Sequence, residues 1–143
     1  MQLQQKIVLY AEDDFDEFDL FREALFRFDP SFKLHHARNG VHALESLTTY
    51  IPDFIFLDIK MPLMDGWECL DNIKQTPRLS QVPVFMISTT NDKGSHQKSV
   101  LKGALQCFIK PLKEEEWRHV FMQTFHQRNT TQVDPAEHFK KNN

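Results

Sequence analysis

Phe54-Ile55-Phe56-Leu57-Asp58 is an uninterrupted apolar run, aromatic and branched, that stops on a carboxylate. A run with no polar alternation suits a strand covered on both faces, the kind found inside a parallel sheet. Three further runs resemble it: Ile7 to Ala11, Val82 to Ile87, and Cys107-Phe108-Ile109. A weaker one, Phe32 to Ala37, alternates as a strand near a sheet edge would. Amphipathic stretches separate the runs. Phe18, Phe21, Leu25 and Phe28 recur at helical steps before Pro30; Val41, Leu44 and Leu47 follow the Asn39-Gly40 turn signal; Trp67, Leu70 and Ile73 end at Pro77. Val100 to Leu105 closes a fourth stripe, with Gly103 as its stop. Glu114, Glu115 and Glu116 suit the first turn of a fifth helix carrying Trp117, Val120, Phe121 and Phe125. Strand then helix, five times over, predicts an α/β fold of (βα)5 type, a doubly wound five-stranded parallel sheet.

The chain of 143 residues fits one domain over 1–128, with 129–143 expected as a poorly ordered tail because few of its residues are apolar. A formal charge of −3 gives no electrostatic reason to expect nucleic acid or an anionic membrane as partner. No window reaches the roughly 18 apolar residues of a membrane span, and the N-terminal residues lack a signal-peptide pattern. Cys69 and Cys107 fit no metal or redox spacing, so two reduced thiols in a cytoplasmic protein are expected. The sequon at Asn129 is read as chance.

Open parallel sheets bind ligands at the carboxyl ends of their strands. Those ends here are Glu12-Asp13-Asp14, Asp58, Ser88-Thr89 and Lys110-Pro111. Singly, each has an ordinary reading: a helix cap for Asp13 or Asp14, a turn for Ser88, a surface charge for Lys110. Together on one edge they narrow the chemistry. Clustered carboxylates raise a pKa or hold a cation, and hard oxygen donors suit Mg²⁺. An aspartate beside such an ion can attack phosphorus, with Lys110 and the Ser88 hydroxyl meeting other phosphoryl oxygens.

Asp58-Ile59-Lys60-Met61-Pro62-Leu63-Met64-Asp65-Gly66 resembles the phosphoacceptor loop D-x-x-M-P-x-M-D-G of response regulator receiver domains. Pro83 through Ser88, and Gly103-Ala104 with Phe108-Ile109-Lys110-Pro111, resemble that family's fourth and fifth strand endings. The resemblance runs from about Lys6 to Arg128. It implies a flavodoxin-like receiver fold with Asp58 phosphorylated from a sensor histidine kinase or a histidine phosphotransfer protein. It also implies Mg²⁺ held by Asp13 and Asp58, by Glu12 through water, and by the backbone carbonyl of Lys60. Lys110 would pair with the phosphoryl group, Ser88 would move to bond it, and the Lys110–Pro111 bond would be cis. Asp14 is read as a helix cap.

Three positions depart from the family pattern. Cys107 stands where the family carries a switching Tyr or Phe, and Phe108 should face the other way by strand alternation. Thr89 follows Ser88 where a small residue is common, and Lys60 places a long cation near Asp58. Both should lengthen the life of a phosphoryl group. No output domain is expected after the fifth helix. The output is then expected to be altered binding to an unknown protein target or to a second copy, by the fourth helix, fifth strand and fifth helix, with Trp117, Phe121, Met122 and Phe125 as candidates. Two rivals fit less well. A magnesium-dependent phosphatase would carry its nucleophile on the first strand, and a flavodoxin-type binder needs a phosphate-cradling glycine cluster that the four glycines do not form. A third, a receiver that no longer takes phosphate, would not be expected to keep these acids, Ser88 and Lys110.

Overall fold

The computed structural model describes residues 5–91 and 93–131, with side chains to residue 125. Strands β1 (Ile7–Ala11), β2 (Lys33–Ala37), β3 (Phe54–Asp58), β4 (Val84–Ser88) and β5 (Gln106–Ile109) alternate with helices α1 (Phe15–Phe28), α2 (Gly40–Ser46), α3 (Gly66–Gln75), α4 (Lys93–Leu101) and α5 (Glu114–Thr131). All strand pairs are parallel, in the order β2-β1-β3-β4-β5. Strand order reverses at β1, whose neighbours are β2 and β3, and this opens the crevice in which such sheets hold ligands.

Strand alternation divides the core by chemistry. Leu9, Ala11, Ile55, Leu57, Val84, Met86 and Cys107 join a largely aliphatic cluster with Ala43 of α2, Leu47 that caps it, and Cys69, Leu70 and Ile73 of α3. Tyr10, Phe54, Phe56, Phe85 and Phe108 face the other way, onto Phe18 and Phe21 of α1 and Trp117, Phe121 and Phe125 of α5. Ring centroids there lie close, 4.3 Å for Tyr10–Phe21 and 4.8 Å for Phe21–Trp117. Cys107 and Phe108 thus occupy opposite faces, as alternation requires. Trp117, Phe121 and Phe125 belong to the core, which leaves Met122 as the exposed apolar residue among the four named as interface candidates.

Helix α4 ends at Leu101, with Val100 and Leu101 exposed, Ser99 the buried residue of the helix, and Ala104 just beyond it packed into the core. Gly103 stops it as expected, at φ 105°, in the left-handed region where a Cβ is strained. One further expectation is corrected. The Lys110–Pro111 bond is trans, as are all described peptide bonds. The trans amide is the lower-energy form even before proline, and Lys110 reaches the acids without the cis isomer. Helix α5 is described to Thr131, and the remainder of the expected tail lies outside the described residues.

The loop after β3 is held by the backbone. Gly66 donates its N–H to the Ile59 carbonyl at 2.8 Å, closing the segment on itself. Within it Met64 donates to the Pro62 carbonyl at 2.7 Å, with Leu63 at φ 67° in the turn between them. A Cβ on Gly66 would stand 2.4 Å from the Asp58 carbonyl oxygen and 2.9 Å from Ile59 Cα. Those are backbone atoms that cannot rotate away. Gly66→Ala should therefore cost about 1–3 kcal/mol in urea unfolding, and an unchanged midpoint would contradict this packing.

Candidate functional site

Asp58, the last residue of β3, aligns with Ile87 of β4, so its carboxylate emerges at the carboxyl edge of the sheet between β1 and β4. Glu12 follows β1 and is fixed from several sides. Its N–H donates to Ala37 at 2.9 Å, the Tyr10 hydroxyl donates to Oε2 at 3.1 Å, and the Asp14 N–H donates to Oε1 at 3.1 Å. His36 Nε2 lies 2.7 Å from the Glu12 carbonyl, which only accepts, so the His36 proton sits on Nε2. Asp14 caps α1, accepting from the N–H groups of Asp16 and Glu17 at 2.9 and 3.0 Å. That frees the exposed Asp13 to turn toward Glu12 and Asp58. One ligand oxygen from each of Glu12, Asp13 and Asp58 lies within 4.8 Å of the others.

Lys110, just past β5, enters this group from the side. Its Nζ lies 2.6 Å from Glu12 Oε2, 2.5 Å from Glu17 Oε2 and 3.3 Å from Asp58 Oδ2. Its N–H donates to the Ser88 carbonyl at 2.6 Å, tying the ends of β4 and β5 together. The Ser88 hydroxyl is turned to its own loop, donating to the Thr90 carbonyl at 2.9 Å and accepting the Thr90 N–H at 3.1 Å. Lys60 and Thr89 are exposed, and with Asp58, Trp67 and Ser88 they line an open cleft of about 360 Å³. Cys107 is buried behind the site and, like Cys69, forms no disulfide.

The electrostatics are those of too many acids. Burial, then the Asp58 charge, pushes Glu12 up to about 7 against the pull of Lys110. Burial likewise raises Asp58 to about 6; Lys110 opposes this, while Glu17 and Asp13 add to it. Burial disfavours the Lys110 ammonium, but its hydrogen bonds to Glu12 and Glu17 and the nearby acidic charges outweigh that and hold its pKa above the usual lysine value. Three hard oxygen donors with excess negative charge fit a divalent cation such as Mg²⁺. Sequence reasoning missed Tyr10, His36 and Glu17. Tyr10 was within reach of it, since residues two apart on a strand share a face.

The pKa shifts carry a sign for stability. Folding moves Asp58 from 3.8 to about 6, so the native state keeps a proton that the unfolded chain releases. The stability contributed by that proton is present below about pH 4 and lost as pH rises through about 6. Asp58→Asn should therefore unfold at higher urea than the wild type in EDTA at pH 7.5. The gap should be of the order of 2–3 kcal/mol and close toward pH 4. A gap that does not grow with pH would show that Asp58 is not destabilised by its surroundings.

Comparison with known proteins supplies the family. The response regulator receiver domain matches residues 8–121. The chain is 30% identical over 110 residues, 77% of its length, to a probable cyclic di-GMP phosphodiesterase of Vibrio cholerae, of which that match covers 24%. The chain spans about a quarter or less of the curated relatives it matches. Among solved structures, the signal receiver domain of a DNA-binding response regulator of Colwellia psychrerythraea superposes with TM-score 0.76 at 29% identity, covering 85% of this chain and 99% of that one. The Mn²⁺-bound form of response regulator Rcp1 does so with TM-score 0.73 at 25% identity, covering 81% and 91%. The match runs from within β1 into the first half of α5, with the acids, the hydroxyl and the lysine all inside it, and the chain belongs to the response regulator receiver domain family.

Proposed function

We propose that this receiver accepts a phosphoryl group on Asp58 in a Mg²⁺-dependent reaction and signals through a change in protein–protein binding. The observation that carries this reading is the convergence of Glu12, Asp13 and Asp58 with Lys110 at one sheet edge. The donor is a phosphohistidine of a sensor kinase or of a phosphotransfer protein. An Asp58 carboxylate oxygen attacks phosphorus, the P–N bond breaks, and its electron pair leaves with the imidazole. Lys110 offsets charge on one phosphoryl oxygen, and the Ser88 hydroxyl, released from Thr90, donates to another. Glu12, Asp13, Asp58 and the Lys60 carbonyl would hold Mg²⁺, which supplies charge neutralisation on the phosphoryl oxygens when bound. A related receiver, Rcp1, is described in a Mn²⁺-bound form, which supports a divalent cation at this acidic edge.

Catalysis on this reading extends only to the protein's own phosphorylation and dephosphorylation. Output would pass through the surface of α4, β5 and α5, where Val100, Leu101, Leu105, Ile109 and Met122 are exposed apolar residues that a protein target or a second copy would cover. Among the described residues no helix is long and apolar enough to cross a membrane, and a cytoplasmic site of action is the setting we propose.

Acetyl phosphate with Mg²⁺ should add one phosphoryl mass to the intact wild-type protein and none to Asp58→Asn. Steady release of phosphate from added monoesters would instead favour an enzyme. Because Lys60 and Thr89 stand at the cleft through which water reaches Asp58, Thr89→Ala and Lys60→Ala should each shorten the phosphoryl lifetime several-fold. A decay rate unchanged in both would remove these side chains from control of hydrolysis.

A further inference from the structure

An ammonium group has three N–H bonds and no more. In Lys110 each has a carboxylate partner, and Asp58, at 3.3 Å, is farther than Glu12 at 2.6 Å or Glu17 at 2.5 Å. A phosphoryl oxygen on Asp58 would therefore meet a lysine already engaged. Glu12 is a poor partner to release. It is fully buried and held by the Tyr10 hydroxyl and the Asp14 N–H, so losing its cation would strand a buried charge. Glu17 is different. It sits on the first turn of α1 with its side chain 42% exposed, and its backbone N–H is satisfied by the Asp14 cap whatever its carboxylate does. Water replaces the lysine at little cost.

Building on the phosphoacceptor reading, we propose that Glu17 is a positioning residue that competes with Asp58 for Lys110. In the unphosphorylated protein it draws the ammonium away from Asp58, and phosphorylation of Asp58 displaces it. Two consequences of opposite direction follow from removing the competitor. The acidic edge loses one carboxylate and Lys110 turns fully onto Glu12 and Asp58, which weakens cation binding. The same turn places the ammonium in advance where the phosphoryl oxygen arrives, which speeds transfer once the cation is saturating.

Glu17→Gln and Glu17→Asp separate this role from a plain structural tie between α1 and β5. Mg²⁺ affinity is read by tryptophan fluorescence, since Trp67 lines the cleft beside Asp58. Phosphorylation by acetyl phosphate at saturating Mg²⁺ is read by intact mass. Glu17→Gln should weaken Mg²⁺ binding and raise the saturated rate, each by about three- to tenfold. Glu17→Asp keeps the charge but is one methylene shorter and releases the ammonium, so it should weaken Mg²⁺ binding less than Glu17→Gln does and still show the faster rate. A Glu17→Gln rate at or below that of the wild type overturns the proposal, as does loss of both properties together. A wild-type protein that takes no phosphoryl group overturns the phosphoacceptor reading and this proposal with it. A phosphorylated wild type with no gain in Glu17→Gln overturns this proposal alone.

Discussion

One ammonium group facing a crowd of carboxylates is the constraint on which this structure turns. Glu12 and Asp58 are both buried, and Asp13 and Glu17 lie at the same edge, yet the cation reaching into the group is Lys110. Burial disfavours the ionised acids, and their mutual repulsion adds to that, so Glu12 and Asp58 hold protons at pH values where carboxyls are normally ionised. Such a site is unbalanced until positive charge enters, and it favours ligands that bring a divalent cation with an anion. On the proposed reading that imbalance is what a divalent cation would relieve, since an edge neutralised by its own lysines would gain little from one.

The sheet makes this imbalance sustainable. Glu12, Asp58, Ser88 and Lys110 sit at or just beyond strand ends, where the chain leaves the sheet at its carboxyl edge. Their backbones stay anchored by the ladder behind them: Glu12 to Ala37, Ile59 to Ile87, Lys110 to Ser88, at 2.9, 3.0 and 2.6 Å. Beneath that edge the two faces are packed differently. The α1/α5 face is a continuous stack of rings reaching up to Tyr10, whose hydroxyl holds Glu12. Aromatic packing and acid geometry are joined at that one residue: Tyr10 buries its ring against Phe21 and Trp117 while its polar end orients a carboxylate.

Much of this was legible from sequence because it rests on short-range rules. The Phe54–Leu57 run lies in β3, buried throughout, and strand alternation placed Cys107 and Phe108 on opposite faces. The edge where Asp58, Glu12, Asp13 and Lys110 meet follows from the rule that parallel strands present their carboxyl ends together. What was not legible depends on tertiary context. Nothing local marks Glu17 as a lysine partner, because an acid in a first helical turn already has a reason to be there in the helix dipole. The isomer before Pro111 turns on a small energy difference that local sequence does not determine. That Val100 and Leu101 face solvent was not legible either, because apolar spacing reports that a face is apolar, and not whether the core or the solvent side owns it.

That last point bears on how a signal would leave the site. A ring at position 107 would be a bulky reporter, but Cys107 is small and packed among aliphatic residues, so its rotation would displace little. The Ser88 hydroxyl is placed differently. Its hydrogen bonds go to Thr90, which leads toward α4, and turning the hydroxyl to a phosphoryl oxygen means giving up those bonds. The loop ahead of α4 would then lose an anchor in the same step that the phosphoryl group gains one. Helix α4 holds few apolar residues against the core and presents Val100 and Leu101 outward, so little packing opposes its displacement. On the proposed reading, coupling in this chain would therefore be better carried by the serine's exchange of partners than by a side chain in the core.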